Sequence, residues 1–337
     1  MIEVSVVIPC RNEEKFIGKC LDSLLKQDYP KENLEILIVD GASEDGTRRA
    51  VEEYSKKYSF IKLLSNKNKY TPFGLNIGIR ESVGEIIVRM DAHAGYNSDY
   101  ISKCVKNLKE SGADNVGGVI KTLPADKEKW AEAIAMVLSH FFGAGGSYFR
   151  IGSDTPRWVD TVFGGCFRKS IFEKIGMFNE KMIRGQDIEM NKRIKKFGGK
   201  ILLVPDIVAT YYPQSTFSGF LKHNFTDGLW TIYPLKFNVR FFSLRHLIPL
   251  FFVTALLGTF LLSFAFVGKI LFLMVAIAYF SVNFFFSLEM SSKKGYSYLP
   301  FLMMSFFNRH FFYGLGSLWG IIRVFVEKYG RKETKRN

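Results

Sequence analysis

The residues best able to do chemistry stand at the ends of short apolar runs. In "GEIIVRMDAHAGYN", residues 84–97, the run Ile86, Ile87, Val88 and Met90 stops at Asp91, and His93 follows two positions later. Alternate residues just past a strand end can reach a common ion. A carboxylate with an imidazole suits Mn2+ somewhat better than Mg2+, which prefers oxygen. The same spacing also describes a loop aspartate beside a hydrogen-bonded histidine. Asp40 opens "DGASEDGT", with Asp45 five positions on. A carboxylate at such a strand end can accept a hydrogen bond from a base or ribose, and the segment reads equally well as an ordinary strand-to-helix turn in which Asp45 caps the next helix. In "RGQDIEMNKRIKKFGG", Asp187 and Glu189 start an amphipathic stretch that carries Ile188, Met190, Ile194 and Phe197. Acids are favoured at any helix start by the dipole. A functional Asp187 would instead face a pocket as a general base, while Glu189 would pair with Arg193 at i,i+4.

Residues 1–213 supply the elements that must hold these groups. "VSVVIP" reads as a buried strand, Phe16, Ile17, Cys20, Leu21, Leu24 and Leu25 share one helical face, and "LEILIVD" is a second strand. A helix through Ala50, Val51, Tyr54 and Tyr58 follows, then a strand at "FIKLL". A further helix has Thr71 as N-cap and Pro72 at its first position, and it leads into the strand that ends at Asp91. Such alternation predicts an α/β fold with a mostly parallel sheet covered by helices on both faces. Ligands of these sheets bind at the carboxyl ends of the strands, where Arg11, Asp40 and Asp91 would emerge. Further on, the pattern predicts a helix over 128–142, a glycine-rich patch "GAGG", a strand at "WVDTVFGG" and a helix over 187–197.

Composition narrows the class. The 337 residues carry a net charge of +14 and are 15% aromatic, with 33 Phe. From Thr231 onward there are 13 Lys or Arg against three acids, so about +10 of the charge lies in the most apolar third. Basic residues alternating with long apolar runs point to a membrane with an anionic surface. A nucleic-acid partner is not expected, since finger, basic-zipper and RNP-type patterns are absent. The first turn, "PCRNEE", has no G-x-G-x-x-G, and no G-x-x-x-x-G-K-[ST] occurs, which disfavours dinucleotide oxidoreductases and P-loop enzymes. The four cysteines, Cys10, Cys20, Cys104 and Cys166, show no C-x-x-C and read as small core residues in a reducing compartment. "MIEVSVVIPC" enters a strand at once without a signal-peptide pattern, so the catalytic part is expected on the cytoplasmic side.

After Pro213 the character changes. Residues 214–245 form an amphipathic interfacial segment, with Phe220, Leu221, Phe225, Leu229 and Trp230 among Lys222, His223 and Asp227. Leu247–Phe266 and Ile270–Leu288 are free of charge and long enough to span a bilayer. The expectation is a transmembrane hairpin over 246–288, joined tightly at "VGK", in a multi-pass protein of the cytoplasmic membrane. Residues 289–337 then hold a basic loop, a third membrane-associated segment and a basic tail, "RKETKRN". The third segment, Leu299–Ile322, is interrupted by Asn308, Arg309 and His310 and is expected to be re-entrant or interfacial, because spanning would leave the basic tail outside.

Four stations in this order, "SVVIPCRNEE", "ILIVDGASEDGT", "GEIIVRMDAHA", and "FGGCFRKSIFEKIGMFNE" followed by "RGQDIEMNKRI", resemble the family 2 glycosyltransferases over roughly residues 3–200. The D-A-H-A variant and the later "HFFYGLGSLWG" are similar to the bacterial succinoglycan-type, membrane-bound branch. The resemblance implies the A-type, nucleotide-diphospho-sugar-binding fold followed by membrane helices. It implies that Pro9, Arg11, Glu13 and Asp40 line the nucleoside pocket, with Asp45, Arg89 and Asp91 also in the donor-binding set. Asp91 and His93 take the place of the family's metal-binding D-x-D and would hold Mn2+ or Mg2+ against the diphosphate. Asp187 matches the base of the family's E-D motif, with Gln186 in place of the usual acid. Gly164, Gly165 and Gln186 are acceptor-side candidates. The implied activity is that of an inverting, hexosyltransferase-type enzyme. It would move sugar from a nucleotide-diphospho-sugar to a lipid-linked saccharide or polyprenyl-phosphate acceptor, in cell-surface or exopolysaccharide synthesis. The Q-x-x-R-W signature of processive synthases is absent, with "KHNFTDGLW" about where it would stand. A processive synthase and a non-catalytic membrane scaffold that binds nucleotide sugars are the alternatives.

Overall fold

The computed structural model describes residues 2–329. These form two compact units, one holding the chain up to Lys121 together with Ser147–Tyr211, the other holding Thr122–Gly146 and the chain from Tyr212 on. The basic tail "RKETKRN" lies outside the described residues.

The first unit begins with β1 (Val4–Cys10), α1 (Ile17–Leu25), β2 (Leu34–Asp40), α2 (Thr47–Lys57), β3 (Ile61–Ser65), α3 (Thr71–Glu81) and β4 (Ile86–Arg89). It continues through β5 (Ala94–Tyr96), α4 (Tyr100–Ser111) and β6 (Asn115–Thr122). Helices α5 (Lys129–Ser139) and α6 (Phe141–Ala144) belong to the second unit. The first resumes with α7 (Tyr148–Ile151), β7 (Arg157–Trp158), β8 (Cys166–Arg168), α8 (Ser170–Ile175), α9 (Gln186–Lys196) and β9 (Ile201–Tyr211). Helix α3 starts at Thr71 itself, so the cap falls on Tyr70, with Pro72 in the first turn as expected.

One sheet runs in the order β3-β2-β1-β4-β8-β6-β9-β5, with β7 on β9. Strands β1 to β4 pair in parallel, whereas β4 with β8, β6 with β8, β5 with β9 and β7 with β9 pair antiparallel. The sheet is therefore mixed rather than purely parallel, with its parallel half as expected. Antiparallel neighbours need no crossover helix between them, which lets the short strands β5, β7 and β8 join the sheet. The parallel half is mostly apolar: Val4, Val6, Val7, Ile8, Leu34, Ile36, Leu37 and Ile38 are all buried, as befits strands covered on both faces.

A polar knot pins the register of this half. The buried Glu35 accepts from Ser5 Oγ at 2.6 Å, from Val83 N–H at 2.7 Å and from Lys62 Nζ at 2.9 Å, while Gly84 N–H donates to Ser5 Oγ. Burial alone would push the Glu35 carboxyl up, but these donors and the Lys62 charge outweigh it and hold the pKa below the usual range.

Sequence reading overextends two elements here. The strand expected at "WVDTVFGG" is only Arg157–Trp158, and Gly164 and Gly165, at positive φ (+65° and +122°), keep the segment after it from running on into β8. The helix expected over 128–142 is split at His140, whose extended backbone ends α5 and whose ring accepts from Phe142 N–H to start α6.

In the second unit α10 (Phe217–Ile232), α11 (Leu244–Leu262), α12 (Phe266–Lys294) and α13 (Leu299–Tyr329) follow α5 and α6. Among the described residues two helices are long and apolar enough to cross a membrane, α11 and α12, each with 11% of its most apolar window buried. They are joined by Ser263, Phe264 and Ala265, not by "VGK". Val267, Gly268 and Lys269 form the first turn of α12, and Gly268 leaves room for the Leu262 carbonyl that a Cβ would strike at 1.8 Å. Helix α12 also runs past 288 to include Lys293 and Lys294.

Helix α13 is unbroken, whereas the sequence suggested an interruption at Asn308, Arg309 and His310. Each of the three has partners within the unit. Asn308 Nδ2 donates to Phe217 O and its Oδ1 accepts from Asn224; Arg309 donates to Gly143 O and to Asn224 Oδ1; His310 Nε2 lies 2.8 Å from Phe142 O. Polar groups satisfied this way do not interrupt a helix. Below them Ala133, Val137, Leu302 and Phe306 form a small apolar core.

Candidate active site

Three strand ends build the site in the first unit. β1 and β2 finish in register at Cys10 and Asp40, and Gly41 N–H donates to Cys10 O at 2.8 Å. The two following loops are tied to each other. Asn12 N–H donates to Ser43 Oγ and Glu44 N–H to Asn12 Oδ1, both at 2.9 Å, Glu13 N–H to Thr47 Oγ1 at 2.7 Å, and Glu14 N–H to Asp45 Oδ2 at 3.2 Å. Asn12 and Ala42 hold positive φ, +56° and +55°, conformations that this crossing imposes on non-glycine residues. Asp40 is buried, accepts from Ser43 N–H at 3.3 Å and has Arg48 at 3.7 Å. Asp45 accepts from Thr47 N–H at 3.0 Å, so it caps α2 from one position before the true cap, Gly46. Arg11 is exposed and pairs with Glu44 at 3.4 Å, and Pro9 is half-buried at the end of β1.

The third strand end carries the charges. Arg89, the last residue of β4, is buried, and its guanidinium lies 3.0 Å from Asp91 Oδ1 and in direct contact with Asp187 Oδ1. The two aspartates, 96 residues apart in the chain, thus meet on one cation. Asp91 N–H donates to Tyr96 Oη at 2.6 Å, fixing the loop. His93 turns to the neighbouring loop, with Nδ1 2.9 Å from Glu13 Oε1. That hydrogen bond raises its pKa above the usual imidazole range, with help from the charges of Asp91 and Glu13, against burial and Arg89.

Asp187 occupies the first turn of α9, after Gly185 at φ +71°. Four residues on, the buried Asn191 accepts from Asn115 Nδ2 at 2.7 Å and donates to Thr161 Oγ1 at 2.9 Å. Glu189 and Arg193 form the expected pair at 2.7 Å, and Arg193 also donates to the carbonyls of Ile175, Gly176 and Met177. The helix that presents Asp187 is held by these bonds. Gly165 O accepts from Arg89 N–H, and a Cβ on Gly164 would come 2.9 Å from Arg89 O, so this glycine pair lets the 161–165 loop lie against the strand end. Gln186 is buried beside Asp187.

Of the residues singled out from sequence, Arg89, Asp91 and Asp187 come together, as do Glu13 and His93. Asp40 and Asp45 are each bonded within their own turn. Tyr96 and Asn191 were not foreseen. Asn191 could have been, as it lies one turn beyond Asp187 on the same helical face. Among the described residues no three His, Cys, Asp or Glu side chains converge on an ion position. The donor chemistry nonetheless fits a divalent cation: a carboxylate bonded to His93 Nδ1 leaves Nε2 as the coordinating atom, a common support for metal-binding histidines. Magnesium-type sites often use only one or two protein ligands beside substrate phosphates. The described cysteines are all buried and free, and burial pushes the Cys10 and Cys20 thiols up to about 12, so neither is a nucleophile.

A mixed sheet with charged groups gathered past the carboxyl ends of β1, β2 and β4 is the architecture of the A-type glycosyltransferase fold. The model of "Glycosyl transferase family 2" matches residues 5–176. A relative from Methanococcus voltae, a dolichyl N-acetyl-alpha-D-glucosaminyl phosphate 3-beta-D-2,3-diacetamido-2,3-dideoxy-beta-D-glucuronosyltransferase, is 33% identical over 278 residues, covering 80% of this chain and 85% of its own. The succinoglycan biosynthesis protein ExoA of Rhizobium meliloti is 27% identical, covering 68% and 74%. Among solved structures, the mannosyltransferase PcManGT from Pyrobaculum calidifontis, in complex with GDP-Man and Mn2+, shares the fold with a TM-score of 0.59 at 18% identity, over 94% of this chain and 87% of that one. The chain belongs to glycosyltransferase family 2 and is a glycosyltransferase.

Proposed function

We propose that this enzyme is a membrane-bound inverting glycosyltransferase. It moves one sugar from a nucleotide-diphospho-sugar to a lipid-linked saccharide or polyprenyl-phosphate acceptor in cell-surface glycan synthesis. The observation that carries this reading is the meeting of Asp91 and Asp187 on the Arg89 guanidinium. It joins the donor end of β4 to a carboxylate on a separate helix, as a single displacement requires. The dolichyl-linked and succinoglycan-related names of the relatives support a lipid-linked acceptor and a surface glycan.

In the reaction, Asp187 takes the proton of an acceptor hydroxyl while that oxygen attacks the anomeric carbon. The carbon–oxygen bond to the diphosphate breaks, and the nucleoside diphosphate leaves with the bonding pair. The crossed loops of Arg11–Glu14 and Asp40–Asp45 hold the nucleoside, and Arg89 keeps Asp91 and Asp187 in one frame. Asp91 and His93, with Glu13 behind the imidazole, would hold Mn2+ or Mg2+. That ion, bound with the donor, supplies positive charge for the departing diphosphate. Gly164, Gly165 and Gln186 border the acceptor side.

We assign residues 1–213 to the catalytic domain on the cytoplasmic side, 214–245 to an interfacial segment, 246–288 to a membrane hairpin and 289–337 to a third membrane-associated part. Membrane attachment confines enzyme and lipid acceptor to one plane. The test uses detergent-purified protein with lipid extract and a panel of nucleotide sugars, reading nucleoside diphosphate release beside Asp187→Asn. Release from one donor, lost in the variant, is the expected result. Release that persists in Asp187→Asn removes the base from the mechanism, and long products from single encounters would reveal a processive enzyme.

A further inference from the structure

On the nucleotide-sugar reading, the station at Asp91 and His93 must meet a diphosphate, and two cations already described lie near it. Arg89 holds two aspartates, and Arg11 is exposed and paired with Glu44. Replacement of the family's second D-x-D carboxylate by His93 also alters how a divalent cation would be held.

Strand β9 ends at Tyr211, which pairs across the antiparallel ladder with Ala94, the residue after His93. This register brings the Tyr211 ring to 6.5 Å from the His93 ring, centroid to centroid. Over the same Tyr211 ring, at 5.4 Å, lies the guanidinium carbon of Arg150, which is also 5.4 Å from the ring of Phe149. Tyr211 and Phe149 both pack against the main core of the unit, so the shelf beneath Arg150 is anchored. Arg150 sits in the short turn α7, with Gly145 and Gly146 before it and Gly152 after it at positive φ. A guanidinium over aromatic faces is held through its plane, while its N–H edges have the fork geometry that matches phosphate oxygens. Lysine would carry the charge without the fork. Arg150 thus stands on aromatic rings whose Tyr211 member adjoins the loop where the diphosphate is expected.

We propose that Arg150 is a donor-binding residue whose guanidinium engages the diphosphate of the nucleotide sugar, supported on Tyr211 and Phe149 beside His93. This rests on the nucleotide-sugar reading above and adds to it a protein cation that acts on the phosphates directly. The ligand class is a nucleoside diphosphate, and the group recognised is its phosphate oxygens.

The experiment measures binding, not turnover. Full-length protein in detergent is titrated with UDP, GDP, CDP and dTDP and with the corresponding nucleosides, with Mn2+ and with chelator, for the parent, Arg150→Ala and Arg150→Lys. Arg150→Ala should weaken binding of the preferred diphosphate about tenfold, the size of a lost charge-assisted contact. Nucleoside affinity and melting temperature should not change. Arg150→Lys should recover only part of the loss, and the loss should persist in chelator. Unchanged diphosphate binding in Arg150→Ala overturns the proposal. Equal losses for nucleoside and diphosphate also overturn it, since they reveal a collapsed loop. A loss seen only with Mn2+ would mean that Arg150 acts through the cation site, against the proposal. If the parent binds the nucleosides and diphosphates equally, the diphosphate contact fails while the nucleoside pocket stands. If it binds no nucleotide at all, the donor reading itself falls.

Discussion

The two sides of the active site are held by different forces. Where β1 and β2 end, the loops are crossed by hydrogen bonds between side chains and backbone, Asn12 to Ser43 and Glu44, Glu13 to Thr47, Glu14 to Asp45. Where β4 ends, the shape is set by ion pairs: Arg89 with Asp91 and Asp187, Glu13 with His93. Backbone ties of the first kind fix a surface before a ligand arrives. Ion pairs of the second kind can be exchanged, because a bound diphosphate and cation compete for the same partners. On the proposed reading, the nucleoside side is thus prebuilt, and the reactive side is poised to rearrange.

This contrast can be broken most sharply at Asp187. Asp187→Asn should lower transfer by about 10^3-fold, within the range for loss of a general base, while donor binding measured by titration stays intact. Loss of donor binding in that variant would mean that the two sides are not independent. Arg89→Met should cost about 10^2-fold in turnover, as for loss of a preorganised charge, with partial recovery in Arg89→Lys. A purely packing role for Arg89 would leave the methionine variant near the parent rate.

The cation station is next in size. Glu13→Gln should raise the Mn2+ concentration needed for half-maximal activity by about 10 to 100-fold, the usual effect of removing the carboxylate behind a ligating histidine. The raised pKa of His93 adds a sign. The protonated ring cannot ligate, so the Mn2+ requirement should fall as the pH rises through the histidine's titration. His93→Ala should flatten that dependence, and an identical pH profile in that variant would remove His93 from the station.

Smaller effects belong to the scaffold. Asn191→Leu, which strands Asn115 and Thr161, should cost about 1–3 kcal/mol of stability by denaturant titration, the price of unsatisfied buried polar groups. Asp45→Ala should cost about 1 kcal/mol, as for a lost helix cap, and raise the donor KM more than it lowers kcat. An equal drop in kcat would place Asp45 on the reactive side instead. Glu35 contributes through its depressed pKa, so its stabilisation is present above the ordinary carboxyl range and fades as the pH falls through the folded-state value.

Much of this was legible in the chain. The apolar runs that end at Cys10, Asp40 and Asp91 marked the parallel half, because fully covered strands have no polar alternation to obscure them. The amphipathic helix behind Asp187 and the Glu189–Arg193 pair could be read from helical spacing. The two apolar stretches of α11 and α12 were plain from length and charge. The antiparallel half was less legible, since β7 and β8 are two and three residues long and carry little periodicity. The continuity of α13 was not legible, because the partners of Asn308, Arg309 and His310 lie far away in sequence, in α6 and at the start and middle of α10.

The sequence by itself determined the order of strand and helix up to Asp91, the family, and the residue types at those strand ends, since these depend on local periodicity and short motifs. Only the tertiary structure decided which charges meet. That Arg89 joins Asp91 to Asp187, that Glu13 takes His93, and that Tyr211 carries Arg150 toward the same loop follow from strand register and helix placement. Those are fixed by packing between segments far apart in the chain, which no local pattern encodes.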